Sequence, residues 1–131
     1  MAKVIHSMIR VLDLERSLKF YADVLGLQEV HRLDFPDFAL AYLRNSQNDF
    51  EIELTWNKGR DQAYTHGDGY GHIGVVVPDA AATRAALAAQ GYEPAAVKEF
   101  KRGDELLARF FFIQDPDGYK IEMLERHGHY Q

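Results

Sequence analysis

Residues Phe110–Glu125, FFFIQDPDGYKIEMLE, decide the fold. An aromatic run leads into Asp115-Pro116-Asp117-Gly118, where Pro fixes one φ and Gly is free to take a positive one, and an alternating segment follows. This is the pattern of a β-hairpin. In its second strand, period two puts Lys120, Glu122 and Leu124 on one face and Ile121, Met123 and Glu125 on the other. That strand is too apolar to be a solvated edge. A carboxylate at Glu122 therefore needs a partner, because an unpaired buried charge costs several kcal/mol.

Working outward, the rest of the chain offers partners in duplicate. Lys3–Leu12 reads as a strand with His6, Met8 and Arg10 on one face. Asp13 is an N-cap, Leu14, Leu18, Tyr21 and Leu25 recur at helical spacing, and Gly26 closes the helix. Strands are expected at Gln28–Asp34, Phe38–Arg44 and Asp49–Asn57, the last with Phe50, Ile52, Leu54 and Trp56 alternating against Glu51, Glu53, Thr55 and Asn57. After a polar, Gly-bearing connector the order starts again. Tyr70–Val77 is a strand, Asp79 caps an alanine-rich helix that Gly91 ends, and strands follow at Glu93–Phe100, Leu106–Gln114 and Tyr119–Glu125.

An offset of 66 residues carries Asp13 onto Asp79 and His6 onto His72, and an offset of 69 carries Glu53 onto Glu122. The chain is thus a tandem α+β repeat of a βαβββ unit, with a His on each first strand and a Glu on each last one. We take residues 1–131 as one domain made of module 1–58, connector 59–69 and module 70–126, its curved mixed sheets enclosing a cavity. Neither module covers its sheet alone.

Composition narrows the function. Fifteen basic against 20 acidic residues give a formal charge of −5, which does not favour nucleic acid as a partner. The absence of cysteine excludes disulfides and thiol catalysis. No apolar run has the length of a membrane span and MAKVIHSMIRV lacks a secretory pattern, so we expect a soluble cytoplasmic protein without a membrane partner.

Two imidazoles and two carboxylates at matched positions form a mixed N2O2 set suited to nickel, cobalt, zinc, iron or manganese, with coordination positions left for water or a chelating substrate. Each residue alone has a plainer explanation. His72 serves as a hydrogen-bonded imidazole, Glu53 as a carboxylate on a wet face, and Glu122 as the partner of Lys120 or Arg109. The matched recurrence argues for ligation. His31 and His66 have no such counterpart, and His127 and His129 belong to a polar tail.

With these residues in view, VIHSMIRVLDLERSLKFY, FEIELTWNKG, YGHIGVVVPD and FIQDPDGYKIEML resemble glyoxalase I, the lactoylglutathione lyase family of the vicinal oxygen chelate superfamily, over nearly the whole chain. The resemblance implies that His6, Glu53, His72 and Glu122 are metal ligands. It also implies that Arg10 and Asn57 hold the glutamyl end of glutathione, and that Lys101 or Arg102 takes its glycyl carboxylate. It further implies a homodimer with the site at the interface, ligands coming from both chains, and a short chain of the nickel- or cobalt-activated group rather than the longer zinc-dependent one. Asp68 departs from longer members, which carry arginine four residues before the second histidine.

The implied reaction is isomerisation of the hemithioacetal of methylglyoxal and glutathione to S-lactoylglutathione through an enediolate, detoxifying methylglyoxal. Glu122 is the expected base and Glu53 its counterpart on the other side. Arg10, four residues beyond His6 and about 13 Å along the strand, suits a carboxylate at the far end of a tripeptide. The same scaffold serves epimerases, metal-dependent thiol transferases and iron dioxygenases. A fourth ligand at Glu53 argues against the dioxygenases, whose triad leaves positions open. A non-catalytic binder of aromatic compounds, using Trp56, Tyr70 and Phe110–Phe112, has no use for the quartet.

Overall fold

The computed structural model of the chain describes all 131 residues. It contains β1 (His6–Val11), α1 (Leu14–Leu25), β2 (Gln28–Asp34), β3 (Phe38–Arg44), β4 (Glu51–Asn57), β5 (Ile73–Val77), α2 (Ala80–Ala89), β6 (Lys98–Arg102), β7 (Glu105–Gln114) and β8 (Lys120–Glu125). Two compact units result, Met1–His66 and Gly67–Gln131, divided inside the connector. The βαβββ order occurs in each. No helix is long and apolar enough to cross a membrane.

The first unit is a four-stranded sheet in the order β1-β4-β3-β2, with β1 parallel to β4 and the remaining pairs antiparallel. Asp13 accepts from the Arg16 backbone N–H at 3.0 Å to start α1, and Gly26 stops it at φ 65°, in the left-handed region that glycine enters without a Cβ penalty. The helix buries Leu14, Ser17, Phe20, Tyr21 and Val24. Of the expected stripe Leu14, Leu18, Tyr21 and Leu25, the first and third are buried, while Leu18 and Leu25 are half-buried at the rim because the Phe20 ring, beside Tyr21, offers more area to the core. Ile9, Val11, Ala39, Ala41, Leu43, Ile52 and Leu54 supply the sheet's side of that core. The opposite face of β1 is left with His6, Met8 and Arg10 exposed.

The second unit repeats the arrangement in the order β5-β8-β7-β6, again with one parallel pair, β5 with β8. Its β7–β8 hairpin confirms the reading of Phe110–Glu125 and shows why Asp115 stands at the turn. The Asp115 carboxylate is buried and accepts from the Asp117 and Tyr119 backbone N–H groups, both at 2.9 Å, while Gly118 takes φ 86°. Ala108, Phe111, Ile113, Ile121 and Met123 are buried beneath α2. Asp79 caps α2 by accepting from Ala82, and Glu125 adds a second acceptor, taking the Ala80 N–H at 3.0 Å and Arg109 Nη1 at 2.7 Å.

Several strands start later than expected, among them the first at His6 rather than Lys3, the fourth at Glu51 rather than Asp49, and two in the second unit. Tyr70–Val77 is a strand only from Ile73, which is paired with Ile121, and β8 itself begins one residue before that partner. His72 therefore precedes the strand. The stretch from Glu93 becomes strand only at Lys98, since Pro94 has no N–H to donate to a ladder.

Candidate metal centre

Register in each unit places the carboxylate of the last strand beside a histidine, the first residue of β1 in unit 1 and the residue just before β5 in unit 2. In unit 1, β4 sets Glu53 opposite Met8 on β1 and Tyr42 on β3. His6 Nε2 lies 3.2 Å from Glu53 Oε2, and the Tyr42 hydroxyl donates to Glu53 Oε1 at 3.1 Å. Tyr42 also meets two imidazoles, its ring centroid 5.8 Å from that of His6 and 5.7 Å from that of His31. Burial first, and then the Glu53 carboxylate, raises the Tyr42 pKa above its ordinary value, so the hydroxyl remains a protonated donor. Glu53 is only 8% exposed, so the plainer alternative of a carboxylate on a wet face fails, and both its oxygens are engaged.

In unit 2, β8 sets Glu122 opposite Gly74 on β5 and Phe112 on β7. His72 Nε2 lies 2.9 Å from Glu122 Oε2, and the His72 ring stands edge-on to Phe112 at 5.4 Å. Neither Lys120 nor Arg109 is the partner of Glu122; Arg109 reaches Glu125 and Glu99 instead. Each unit thus joins one partly exposed imidazole nitrogen to one largely covered carboxylate oxygen. Such N,O pairs match the donor preferences of a borderline divalent cation, and two of them make the expected set of four. No group of three or more His, Asp or Glu side chains able to hold a metal ion lies together in the chain.

The remaining expected contacts fall as follows. Arg10 is exposed on the face of β1 that carries His6. Asn57, at the end of β4, donates its amide to the Tyr64 hydroxyl at 3.0 Å, and Arg60 stacks on that tyrosine's ring at 3.9 Å. Lys101 pairs with Glu99 on the same strand, β6, at 3.1 Å, and Arg102 with Glu105 across the exposed β6–β7 turn at 2.9 Å. His127 bonds to the Leu106 carbonyl, which ties the tail to β7.

Sequence reasoning missed Tyr42 and Gly74, whose importance depends on strand register, and it treated Phe112 only as an aromatic surface. It also missed a cavity of about 630 Å³ in unit 2 lined by Tyr92, Glu93, Lys98, Phe112, Gln114 and Lys120. Phe112 belongs both to this cavity and to the His72–Glu122 pair.

Comparison with known proteins adds to this geometry. The family model described as Glyoxalase/Bleomycin resistance protein/Dioxygenase superfamily matches residues 3–123. The chain is 42% identical over 128 residues to a lactoylglutathione lyase of Haemophilus influenzae, covering 94% of this chain and 92% of that one. It is 40% identical over 130 residues to a probable lactoylglutathione lyase of Synechocystis, covering 93% and 94%. Among solved structures, the trypanothione-dependent glyoxalase I of Leishmania major aligns with a TM-score of 0.76 at 32% identity, covering 95% of this chain and 87% of that one.

Proposed function

The chain belongs to the Glyoxalase/Bleomycin resistance protein/Dioxygenase superfamily, and on that footing we propose that it isomerises the hemithioacetal of methylglyoxal and glutathione to S-lactoylglutathione, the reaction of lactoylglutathione lyases. The observation that carries this reading is the duplicated pair, His6 with Glu53 and His72 with Glu122, at equivalent places in two βαβββ units. We assign these four residues as ligands of one divalent cation, nickel or cobalt by the resemblance to the short-chain group. The functional unit is a homodimer in which unit 1 of one copy and unit 2 of its partner supply the ligands, acting in the cytoplasm.

When bound, such a cation polarises the adjacent hydroxyl and carbonyl oxygens of the substrate and acidifies the proton on C1. The chain's own residues do the rest. The Glu122 carboxylate takes the C1 proton and returns it to C2, the hydroxyl proton passes from O1 to O2, and the product is a thioester with no oxidant consumed. Glu53 stands on the opposite side of the substrate. The Phe112 ring stands edge-on to His72 and forms an apolar wall beside the His72–Glu122 pair.

Glutathione binding is assigned to exposed cations and one amide. Arg10 and Asn57 hold the glutamyl end, with Asn57 oriented by Tyr64. Lys101 or Arg102 takes the glycyl carboxylate, giving up a surface ion pair worth less than about 1 kcal/mol. Lys98 and Lys120 add positive charge along the unit 2 cavity. The test is to load metal-free protein with nickel, cobalt or zinc, add methylglyoxal and glutathione, and follow thioester absorbance. Thioester should form only with metal. Its absence with every metal, or formation only when trypanothione replaces glutathione, would overturn the assigned reaction or its thiol.

A further inference from the structure

The two carboxylates occupy equivalent positions in the repeat, but their surroundings differ. Glu53 is flanked in register by Met8 and Tyr42, Glu122 by Gly74 and Phe112. The Tyr42 hydroxyl holds Glu53 Oε1 at 3.1 Å while Oε2 faces His6, so turning the Glu53 side chain breaks a hydrogen bond as well as leaving the imidazole. Glu122 faces His72 through Oε2, and the neighbour corresponding to Tyr42 is a phenylalanine ring with no hydroxyl to hold Oε1. On its other side Gly74 carries no side chain where the register of unit 1 has Met8; a Cβ built there would make one ordinary contact, with Leu124 Cδ1 at 3.7 Å.

We propose that Tyr42 is a positioning residue that pins Glu53 as the stationary carboxylate of the site, and that Phe112 and Gly74 leave Glu122 as the one free to turn. The assignment rests on the metal-centre reading above. A ligand that also exchanges a proton with substrate must change its orientation. A ligand that only holds the metal gains from a partner that fixes its rotamer, and loss of such an outer partner weakens metal binding about 10- to 100-fold. The roles of two otherwise equivalent glutamates are thus separated by one oxygen atom on β3 and by its absence on β7.

Reciprocal single-atom changes test this. Tyr42→Phe removes the hydroxyl and keeps the ring against His6 and His31; Phe112→Tyr adds a hydroxyl opposite Glu122. Three quantities are read for each variant: the nickel dissociation constant by competition with a chromogenic chelator, the visible spectrum of cobalt-loaded protein, and kcat and KM for thioester formation. Tyr42→Phe should weaken nickel binding at least about 10-fold and alter the cobalt spectrum. Phe112→Tyr should bind nickel as the parent does and lower kcat at least about 10-fold with little change in KM. The proposal is overturned if Tyr42→Phe binds nickel normally with an unaltered cobalt spectrum, or if Phe112→Tyr keeps the parent kcat. If the parent protein itself makes no lactoyl thioester, weakened nickel binding by Tyr42→Phe still supports the pinning of Glu53 while the assigned reaction fails.

Discussion

Replacing Glu122 by Gln separates the chemistry of this carboxylate from its structural contribution. The amide keeps the shape and can remain beside His72, but it cannot take a proton from C1. A positioned general base is worth about 10²- to 10⁴-fold, or roughly 3 to 5 kcal/mol of barrier, and kcat should fall by that amount. The stability cost should be far smaller. The His72 and Glu122 side chains are 42% and 17% exposed, and so solvated a pair at 2.9 Å contributes less than about 1 kcal/mol after screening, or about 4 °C in melting temperature for a chain of this size. The assay is thioester formation at saturating nickel, alongside thermal melts of the metal-free protein. Glu53→Gln is the comparison: its amide oxygen can still accept from Tyr42, so kcat should fall by a smaller factor. Retained turnover in Glu122→Gln, or an equal loss in both variants, would refute the assignment of Glu122 as base.

Three further outcomes follow from the same geometry. Glu125→Ala removes the acceptor of the Ala80 N–H and a partner of Arg109; a loss of about 1 to 2 kcal/mol is expected, seen as a melting temperature lower by roughly 4 to 7 °C, and an unchanged melt would mean that the contact carries nothing. The Glu99 pKa lies below its ordinary value, held there first by the bond from Lys101 and then by Arg109, so its stabilising effect is complete above the ordinary carboxylate pKa and is lost as pH falls through the depressed one. Glu99→Gln should therefore flatten the acid limb of a stability-pH curve, and an identical limb would remove Glu99 from it. Finally, co-expressing a His6→Ala, Glu53→Ala chain with a His72→Ala, Glu122→Ala chain should restore about a quarter of the parent activity, since random pairing makes half the dimers mixed and each mixed dimer keeps one intact site of two. No recovery would show that the ligands do not come from different chains.

Much of this architecture is legible in the sequence because local chemistry and long-range pairing agree. Asp13, Gly26 and Asp79 cap helices where their side-chain oxygens or missing Cβ require it, and the Asp115–Gly118 turn fixes the β7–β8 hairpin before any tertiary contact is known. The repeat of His and Glu locates both halves of the candidate centre.

The parts that were not legible depend on partners remote in sequence. YGHIGVVV is uniformly strand-like, yet the ladder begins only at Ile73, where β8 can meet it. Leu18 has the right spacing for the α1 stripe, but it yields to the larger rings of Phe20 and Tyr21. Lys101 and Arg102 are the exception, since their partners are near in sequence: Glu99 two residues back on β6 and Glu105 just past the turn, pairs that their reading as free cations overlooked. Tyr42 reads as one more alternating strand residue in FALAYLR. Only the β3–β4 register aims its hydroxyl at Glu53, and that register is not written locally.

The account is tested most directly by the crystal structure of nickel-loaded protein with anomalous data at the metal edge. It predicts one ion bonded to the imidazoles of His6 and His72 and to the carboxylates of Glu53 and Glu122, with the two pairs contributed by two copies of the chain. An ion held by one pair alone, or by the His127 and His129 tail, would contradict it.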